Sequence, residues 1–257
     1  MSNIFNLLLV ILQAFSASAS NQLLTNRGSF KVSSVSTKPN AIAEVIYNFC
    51  LPAVPDFVHA TARPSNPSLP HRFNLNILVI KKLSFAVRLE RVDQPIGWDT
   101  MVTVDWFMYI GVAVVHNGLV FWLPQHVGVI TQNREEAATY CTERGDKLPD
   151  IADRETYELI YSYVRKNFVY QDSGGWYINI WLASDYNPKT GEVTQSNGEP
   201  GYNGNWTIGL PSSHHNDTEL AVTIRHHNPK NDTGMHNVRR KPIKTTVVCS
   251  ISLVLNP

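Results

Sequence analysis

Residues 133–168 constrain the fold most, because they predict two short amphipathic helices that each begin at a capping side chain. Asn133 precedes apolar residues at helical spacing and has Glu136 three positions later, the pattern of a capping box. Asp153 is placed to cap the second helix, in which aromatic and aliphatic residues recur on one side. A long loop-rich region follows, with strand-like pieces at residues 178–182, 220–224 and 245–254. Helices and strands in separate stretches predict the α+β class.

A second apolar stretch, residues 102–123, is long enough to raise the question of a membrane span. Asp105 and the turn-forming triplet His116-Asn117-Gly118 interrupt it, and burying an Asp in hydrocarbon costs several kcal/mol. The stretch therefore predicts core strands joined by a turn, and we expect no stable membrane span.

The first 19 residues are typical of a secretory signal peptide. Their apolar run, residues 4–15, is too short to cross a bilayer, and Ala17, Ser18 and Ala19 supply small residues at the cleavage positions. No Lys or Arg precedes the run, so a buried helix and an uncleaved anchor stay open as alternatives. We expect a secreted, extracellular protein.

Residues 20–111 carry no recognisable motif. Residues 41–50 look helical, residues 60–71 have three prolines among polar residues and are typical of a linker, and residues 74–90 alternate like one or two strands. The segment is interpreted as an N-terminal extension of unknown structure. A small subdomain, a partly disordered extension and an error in the translated gene boundaries all remain open. The second domain is expected over residues 112–257, beginning with paired strands at residues 112–115 and 119–123.

Charge and cysteine content limit the partners. The formal net charge is +1, so the chain as a whole has no electrostatic attraction to nucleic acid, and no nucleic-acid partner is expected. Three cysteines fit an oxidising compartment if two of them pair. Sequons at Asn205, Asn216 and Asn231 lie in one polar, loop-like stretch and predict N-glycosylation.

The second domain resembles the C-type-lectin-like family. The helix ending in Cys141 resembles the family's first helix, and later segments are similar to its tryptophan core motif, its Asn-Trp-x-x-Gly-x-Pro loop and its closing strand. The matching segments are residues 134–141 with Gly145, Leu148 and Ile151, then residues 181–184, 205–211 and 247–249. The resemblance implies two short helices, small antiparallel sheets and a long loop region. It also implies a disulfide between Cys141 and Cys249; the family's usual inner pair is missing, with Ala221 at the place of one of its cysteines.

Calcium-dependent sugar binding in this family needs oxygen ligands that this chain has mostly lost. The usual acidic triplet is replaced by Leu210-Pro211-Ser212, where Leu210 has no side-chain oxygen. Among the positions that the resemblance implies, Glu219 and Asn237 keep a good calcium oxygen and Ser212 keeps only a neutral hydroxyl. We expect the calcium site to be absent or very weak, and we expect no other cofactor and no metal.

Two further clusters stand out in the same region. Five histidines, at positions 214, 215, 226, 227 and 236, have no recognised zinc spacing and are interpreted as solvated loop residues. A basic group is interpreted first as a solvated loop face, and the alternative is that it binds an anionic ligand such as a sulfated glycan or an acidic protein. Its members are Arg225, Lys230, Arg239, Arg240 and Lys241.

The sequence therefore predicts a secreted lectin-like module that binds a glycan or an extracellular protein through its long loop region. No serine-nucleophile elbow, zinc-protease helix or phosphate-binding glycine loop occurs, so we expect no enzyme activity. The alternative is a structural or extracellular-matrix component, in which Cys50 forms an intermolecular bridge; an unpaired thiol is the other reading of Cys50. The oligomeric state stays open.

Overall fold

The computed structural model describes residues 23–32, 36–124, 130–168, 177–225, 233–239 and 245–253. Contacts divide these residues into two compact units, whose main parts are Leu23–Gly111 and Val112–Ser252. The expected signal peptide lies outside the described residues. No helix within them is long and apolar enough to cross a membrane.

Among its described residues, the first unit has six antiparallel strands in two sheets. The strands are β1 (Leu24–Val32), β2 (Asn40–Ile46), β3 (Phe57–Pro64), β4 (Phe73–Ile80), β5 (Ser84–Arg91) and β6 (Val102–Ile110). They form the sheets β1-β6-β3 and β2-β5-β4. Val45 and Phe85 of one sheet and Val104 and Trp106 of the other belong to the same buried cluster, so the two sheets share one core.

Two expectations for this unit are wrong. The helix predicted over residues 41–50 is largely strand β2, because Ala43, Val45 and Tyr47 are buried while the residues between them are exposed, a period of two. The linker predicted over residues 60–71 is strand β3 as far as Pro64, which lies at the end of an edge strand, where proline is tolerated. The strands expected in residues 74–90 are confirmed as β4 and β5.

The second unit has two helices and nine strands among its described residues. The helices are α1 (Arg134–Thr142) and α2 (Arg154–Asn167). The strands are β7 (Ala113–His116), β8 (Leu119–Trp122), β9 (Ile130–Thr131), β10 (Tyr177–Asn187), β11 (Glu192–Thr194), β12 (Glu219–Arg225), β13 (Gly234–Val238), β14 (Thr245–Thr246) and β15 (Cys249–Ser252). The hairpin predicted between β7 and β8 is confirmed, with Asn117 and Gly118 at positive φ in its turn.

Both predicted helix starts are confirmed. The Asn133 side chain accepts a hydrogen bond from Glu136 N at 2.8 Å, and the Glu136 carboxylate in turn accepts one from Gln132 N at 2.7 Å. The Asp153 carboxylate accepts one from Thr156 N at 2.7 Å. The bonds from Glu136 N and Thr156 N satisfy first-turn groups that have no partner within their helices. The hydrogen bonds from Thr156 also hold the pKa of Asp153 below its usual value.

The central sheet has the order β13-β12-β10-β14-β9, and a smaller sheet has the order β15-β8-β7. Leu220 and Val222 of β12 join the main core together with Ile160 and Val164 of α2. The buried residues of α1, Ala137 and Cys141, lie outside that cluster. Trp181 and Ala221 also lie outside that cluster, because their side chains point to the opposite face of the sheet.

Helix α1 packs against β10, and we therefore assign it to this second face of the sheet. The predicted disulfide is present there, with the Cα atoms of Cys141 and Cys249 5.6 Å apart, and it joins the first helix to the last strand. The α+β class is confirmed.

Candidate recognition surface

The segment between β11 and β12, residues 195–218, is the long loop, and it is anchored to the main-core side of the sheet. Tyr202 and Trp206 pack against the main core, and the Trp206 ring meets the Tyr186 ring edge-on at 5.3 Å. Backbone hydrogen bonds join Thr207 N to Met235 O and Met235 N to Asn205 O, each at 2.8 Å. This approach requires glycine at position 234, because a Cβ there would lie 2.3 Å from the Asn205 carbonyl oxygen.

A second anchor joins Ser212 to Asn237. Asn237 is 3% exposed; its Oδ1 accepts from Ser212 N at 2.7 Å, and its Nδ2 donates to Ser212 O at 2.8 Å and to Asp217 O at 2.9 Å. Both N–H groups of the amide and one oxygen lone pair are therefore committed to holding the loop. The peptide bond between Leu210 and Pro211, just before this anchor, is cis.

Glu219 does not join Ser212 and Asn237. In the β12–β13 pair, Asn237 is opposite Leu220, which belongs to the main core, whereas Glu219 is opposite Val238. Neighbouring residues of a strand point to opposite faces, so Glu219 and Asn237 leave the sheet on different sides. Glu219 lines a pocket of about 340 Å³ on the α1 side, together with residues of α1, Lys147 and Ser196.

The residues present do not fit the family's calcium site. Leu210 has no side-chain oxygen, the Asn237 amide oxygen already accepts the Ser212 N–H group, and the Glu219 carboxylate lies on the other face. Among the described residues, no group of three or more His, Cys, Asp or Glu side chains could hold a metal ion. The absence of calcium binding stays a prediction.

The basic group is only partly described. Arg225 and Arg239 are placed, whereas Lys230, Arg240 and Lys241 lie outside the described residues. Arg225 ends β12, and Arg239 follows Val238, which pairs with the other end of β12. At about 3.3 Å per strand residue, the two arginines are separated by roughly 20 Å, so they do not form one contact site.

Arg239 is half-exposed and already has an acidic partner. Its Nε lies 3.2 Å from Asp217 Oδ1. A hydrogen bond from the Ser212 side chain and the contact with Arg239 hold the pKa of Asp217 below its usual value. Arg225 lies over the Tyr177 ring, with its guanidinium carbon 6.0 Å from the ring centroid.

Two of the three predicted glycosylation sites lie on the exposed surface of the long loop. Asn205 and Asn216 are both exposed, and Asn205 Oδ1 accepts from Tyr202 Oη at 3.0 Å. Asn231 lies outside the described residues. Glycosylation itself remains a prediction.

His236 was interpreted as a solvated loop residue, and that interpretation is wrong. It lies in β13, where its Nδ1 is 3.2 Å from Thr223 Oγ1, which donates in turn to Asn179 Oδ1 at 2.6 Å. Burial lowers the pKa of His236 to about 4. His236 was expected in a loop because β13, a five-residue strand at the edge of the sheet, was not predicted from the sequence. Of the other histidines, His214 and His215 are exposed and stacked on each other, whereas His226 and His227 lie outside the described residues.

The second unit has a C-type-lectin-like fold. The two short helices, the small antiparallel sheets, the long loop and the disulfide from the first helix to the last strand are the features that the resemblance implied. The chain matches no protein-family model, and it matches no curated protein.

Solved structures similar to this chain include the mouse scavenger receptor C-type lectin carbohydrate-recognition domain, at 12% identity over 56% of this chain and 97% of that one, with a TM-score of 0.39. Human lithostathine is 16% identical over 55% of this chain and 96% of its own, with a TM-score of 0.41. The C-type lectin domain of murine dendritic cell inhibitory receptor 2, in complex with N-glycan, is 13% identical over 55% and 95%, with a TM-score of 0.40.

Proposed function

We propose that this protein is a secreted, non-catalytic recognition module that binds a glycan or an extracellular protein through the long loop, without calcium. The observation that carries the proposal is the anchor between Asn237 and Ser212. The buried Asn237 amide donates two hydrogen bonds to the loop and accepts a third from it, so the surface is formed in advance without an ion. A pre-formed surface loses less conformational entropy when it binds.

The outer side of this loop has the mixed chemistry that suits recognition. Ile208, at the tip of the turn that follows Trp206, is 77% exposed, the highest exposure among the large apolar side chains described. The nearby sequence also has exposed polar side chains, among them Asn203, Ser213 and His214. The loop therefore offers both apolar and polar groups for contact with a partner.

Secretion is part of the proposal and is supported by the disulfide. Cys141 and Cys249 are both completely buried and bonded to each other. Structural disulfides form and persist in oxidising compartments and are rare in the cytosol.

A glycan-array and protein-array screen of the secreted chain tests the proposal, with and without EDTA. We expect binding that survives EDTA and weakens at least tenfold in Ile208→Ser. Ile42→Ser is the matched control, because Ile42 is 67% exposed but lies in the first unit. Binding that EDTA abolishes would contradict calcium independence, and an Ile208→Ser variant that binds like the wild type would contradict the loop surface.

The alternative, a structural or extracellular-matrix component, is favoured by one observation. Cys50 is exposed and has no disulfide partner within the chain. Non-reducing electrophoresis of the secreted protein and of Cys50→Ser separates the two functions. A dimer that disappears in Cys50→Ser supports the structural role, and a monomer in both samples contradicts a cross-link through this thiol.

A further inference from the structure

Strand β2 lies at the edge of the sheet β2-β5-β4 in the first unit, and it bonds β5 with one side of its backbone. Just beyond one end of the strand, Tyr47 N donates to Leu83 O at 3.0 Å. Just before the other end, Arg91 N donates to Pro39 O at 2.7 Å. Alternate residues of an antiparallel strand bond the same neighbour, so the odd-numbered residues of β2 bond β5 and the even-numbered ones point away from it.

The groups that point away belong to Ile42, Glu44 and Ile46. Within the part of the chain that the structure describes, no hydrogen bond reaches the N–H or C=O group of these three residues. The side chains of Ile42 and Ile46 are exposed as well. The open side of β2 is therefore a row of hydrogen-bonding groups beside apolar side chains, which is a template for another strand.

The other three edge strands of the first unit have features that oppose pairing with a further strand. Strand β1 has the exposed Lys31, and β3 ends at Pro64. Strand β4 has an irregularity in its pairing between Ile77 and Val79. Lysine, proline and bulges are the usual means by which proteins block a sheet edge. Strand β2 has no Lys, Arg, Pro or Gly, and its pairing with β5 has no irregularity.

The segment Asn40–Ile46 is complementary to itself in an antiparallel pair whose twofold axis passes through Ala43. In this register the whole strand overlaps, with Ile42 opposite Glu44 of the second copy and Asn40 opposite Ile46 of the second copy. All four of these residues are even-numbered, so their free backbone groups face each other and each pair can exchange two hydrogen bonds.

The side chains also fit this register. Ala43 meets Ala43 of the second copy at the axis, where the strands approach most closely and a small side chain is needed. Glu44 accepts from Lys81 Nζ at 3.0 Å and from Ser84 Oγ at 2.6 Å, so its charge already has a partner. A register centred on Glu44 would place two carboxylates directly opposite each other, which is destabilising.

We propose that β2 pairs with β2 of a second copy, and that the protein is a symmetric, non-covalent dimer in which two three-stranded sheets become one continuous sheet. The interface lies in the first unit, so it does not depend on the loop surface proposed above. It is also distinct from a bridge through Cys50. Cys50 follows β2, so the two thiols lie beyond opposite ends of the paired strands.

Sedimentation velocity of the full chain tests the dimer, in a Cys50→Ser background so that residue 50 cannot form a covalent bridge. We expect a dimer at about 100 μM, where an association with a micromolar Kd is largely complete. Ile42→Pro should raise the Kd at least tenfold, because proline removes an N–H group that points to the open edge and that the monomer does not use. Ile42→Thr is the matched control, since it keeps this N–H group and should dimerise like its parent.

A monomeric parent at this concentration refutes the proposal, and so does an Ile42→Pro variant that dimerises as tightly as the Ile42→Thr control. Loss of the dimer in Ile42→Pro supports it when the circular dichroism spectrum and thermal unfolding stay those of the parent.

A cross-linking experiment in the same background decides the question if Ile42→Pro does not fold. Ala43→Cys places two thiols opposite each other, with their Cα atoms about 4.5 Å apart, which a disulfide can bridge. Ala41→Cys is the control, because its two thiols would be at least about 13 Å apart along the strands. We expect oxidation to give a covalent dimer on non-reducing electrophoresis for Ala43→Cys alone. No dimer in Ala43→Cys, or equal yields in both variants, refutes the pairing.

Discussion

Asn237 and Ser212 hold each other through two hydrogen bonds, in which Ser212 N donates to Asn237 Oδ1 and Asn237 Nδ2 donates to Ser212 O. A third bond, from Asn237 Nδ2 to Asp217 O, extends the anchor toward the end of the loop. The family resemblance implies a calcium ligand at position 237, whereas in this protein the Asn237 side chain holds the long loop in place.

The first prediction concerns this anchor. Asn237→Ala leaves one N–H group and two carbonyl groups without their partners, and we expect it to lower the free energy of unfolding by about 3 kcal/mol. Ser213→Ala is the control, because Ser213 is exposed beside the anchor, and it should cost less than about 0.5 kcal/mol. Guanidinium unfolding measures both. Equal effects of the two substitutions would show that the amide does not hold the loop.

The second prediction concerns the disulfide. Cys141 and Cys249 are 108 positions apart, and closing a loop of about 100 residues stabilises a protein by about 4–5 kcal/mol on the chain-entropy model. We expect Cys141→Ala/Cys249→Ala to lose most of this free energy and to unfold at a markedly lower temperature. Cys50→Ser should unfold like the wild type, because Cys50 is exposed and unbonded. A double variant as stable as the wild type would contradict the prediction.

The third prediction is a pH dependence that arises from His236. Burial lowers the pKa of His236 to about 4 in the folded state, against an ordinary value of 6.5. Between these values the unfolded chain binds the proton and the folded chain does not, so stability falls as the pH falls from 6.5 toward 4. The loss reaches about 3 kcal/mol, at about 1.4 kcal/mol per pKa unit.

His236→Gln should flatten this dependence while it keeps a polar side chain near Thr223. Urea midpoints measured at several pH values between 7 and 4 check the prediction for both proteins. Parallel curves for the variant and the wild type would show that His236 does not cause the pH dependence.

The fourth prediction concerns the basic group. If it binds sulfated glycans, the wild type should be retained on heparin, and the triple variant Arg239→Ala/Arg240→Ala/Lys241→Ala should elute at lower salt. Arg225→Ala should have the smaller effect, because Arg225 is roughly 20 Å from Arg239 along β12. Elution of the wild type at very low salt, unchanged in the triple variant, would end the hypothesis.

Local chemistry made the helices of the second unit predictable. Asn133 and Asp153 mark the starts of their helices, because each side-chain oxygen accepts a hydrogen bond from the N–H group only three residues later. The first unit gave no comparable signal. Its segment Asn40–Ile46 combines good helix formers with a period of two, and its pairing with β5, 38 to 50 positions later, decides in favour of the strand.

The candidate site was predictable only as a set of residue types. The family resemblance implies Glu219 and Asn237 as oxygen ligands of a metal ion. The faces on which they lie, however, depend on the register between β12 and β13. A shift of one residue would reverse these faces. The pocket on the α1 side was not predicted from the sequence, because its walls come from five stretches of the chain that meet only in the folded protein.

Strand β15 pairs with β8, so that Ser252 lies opposite Leu119 and Cys249 opposite Trp122. Strand β7, with which the second unit begins, pairs with the other edge of β8, so β8 lies between the first and the last strand of the unit. A chain that stopped before Cys249 would leave one edge of β8 unpaired and Cys141 without its partner. During synthesis, the second unit can therefore complete its fold only after its last strand has left the ribosome.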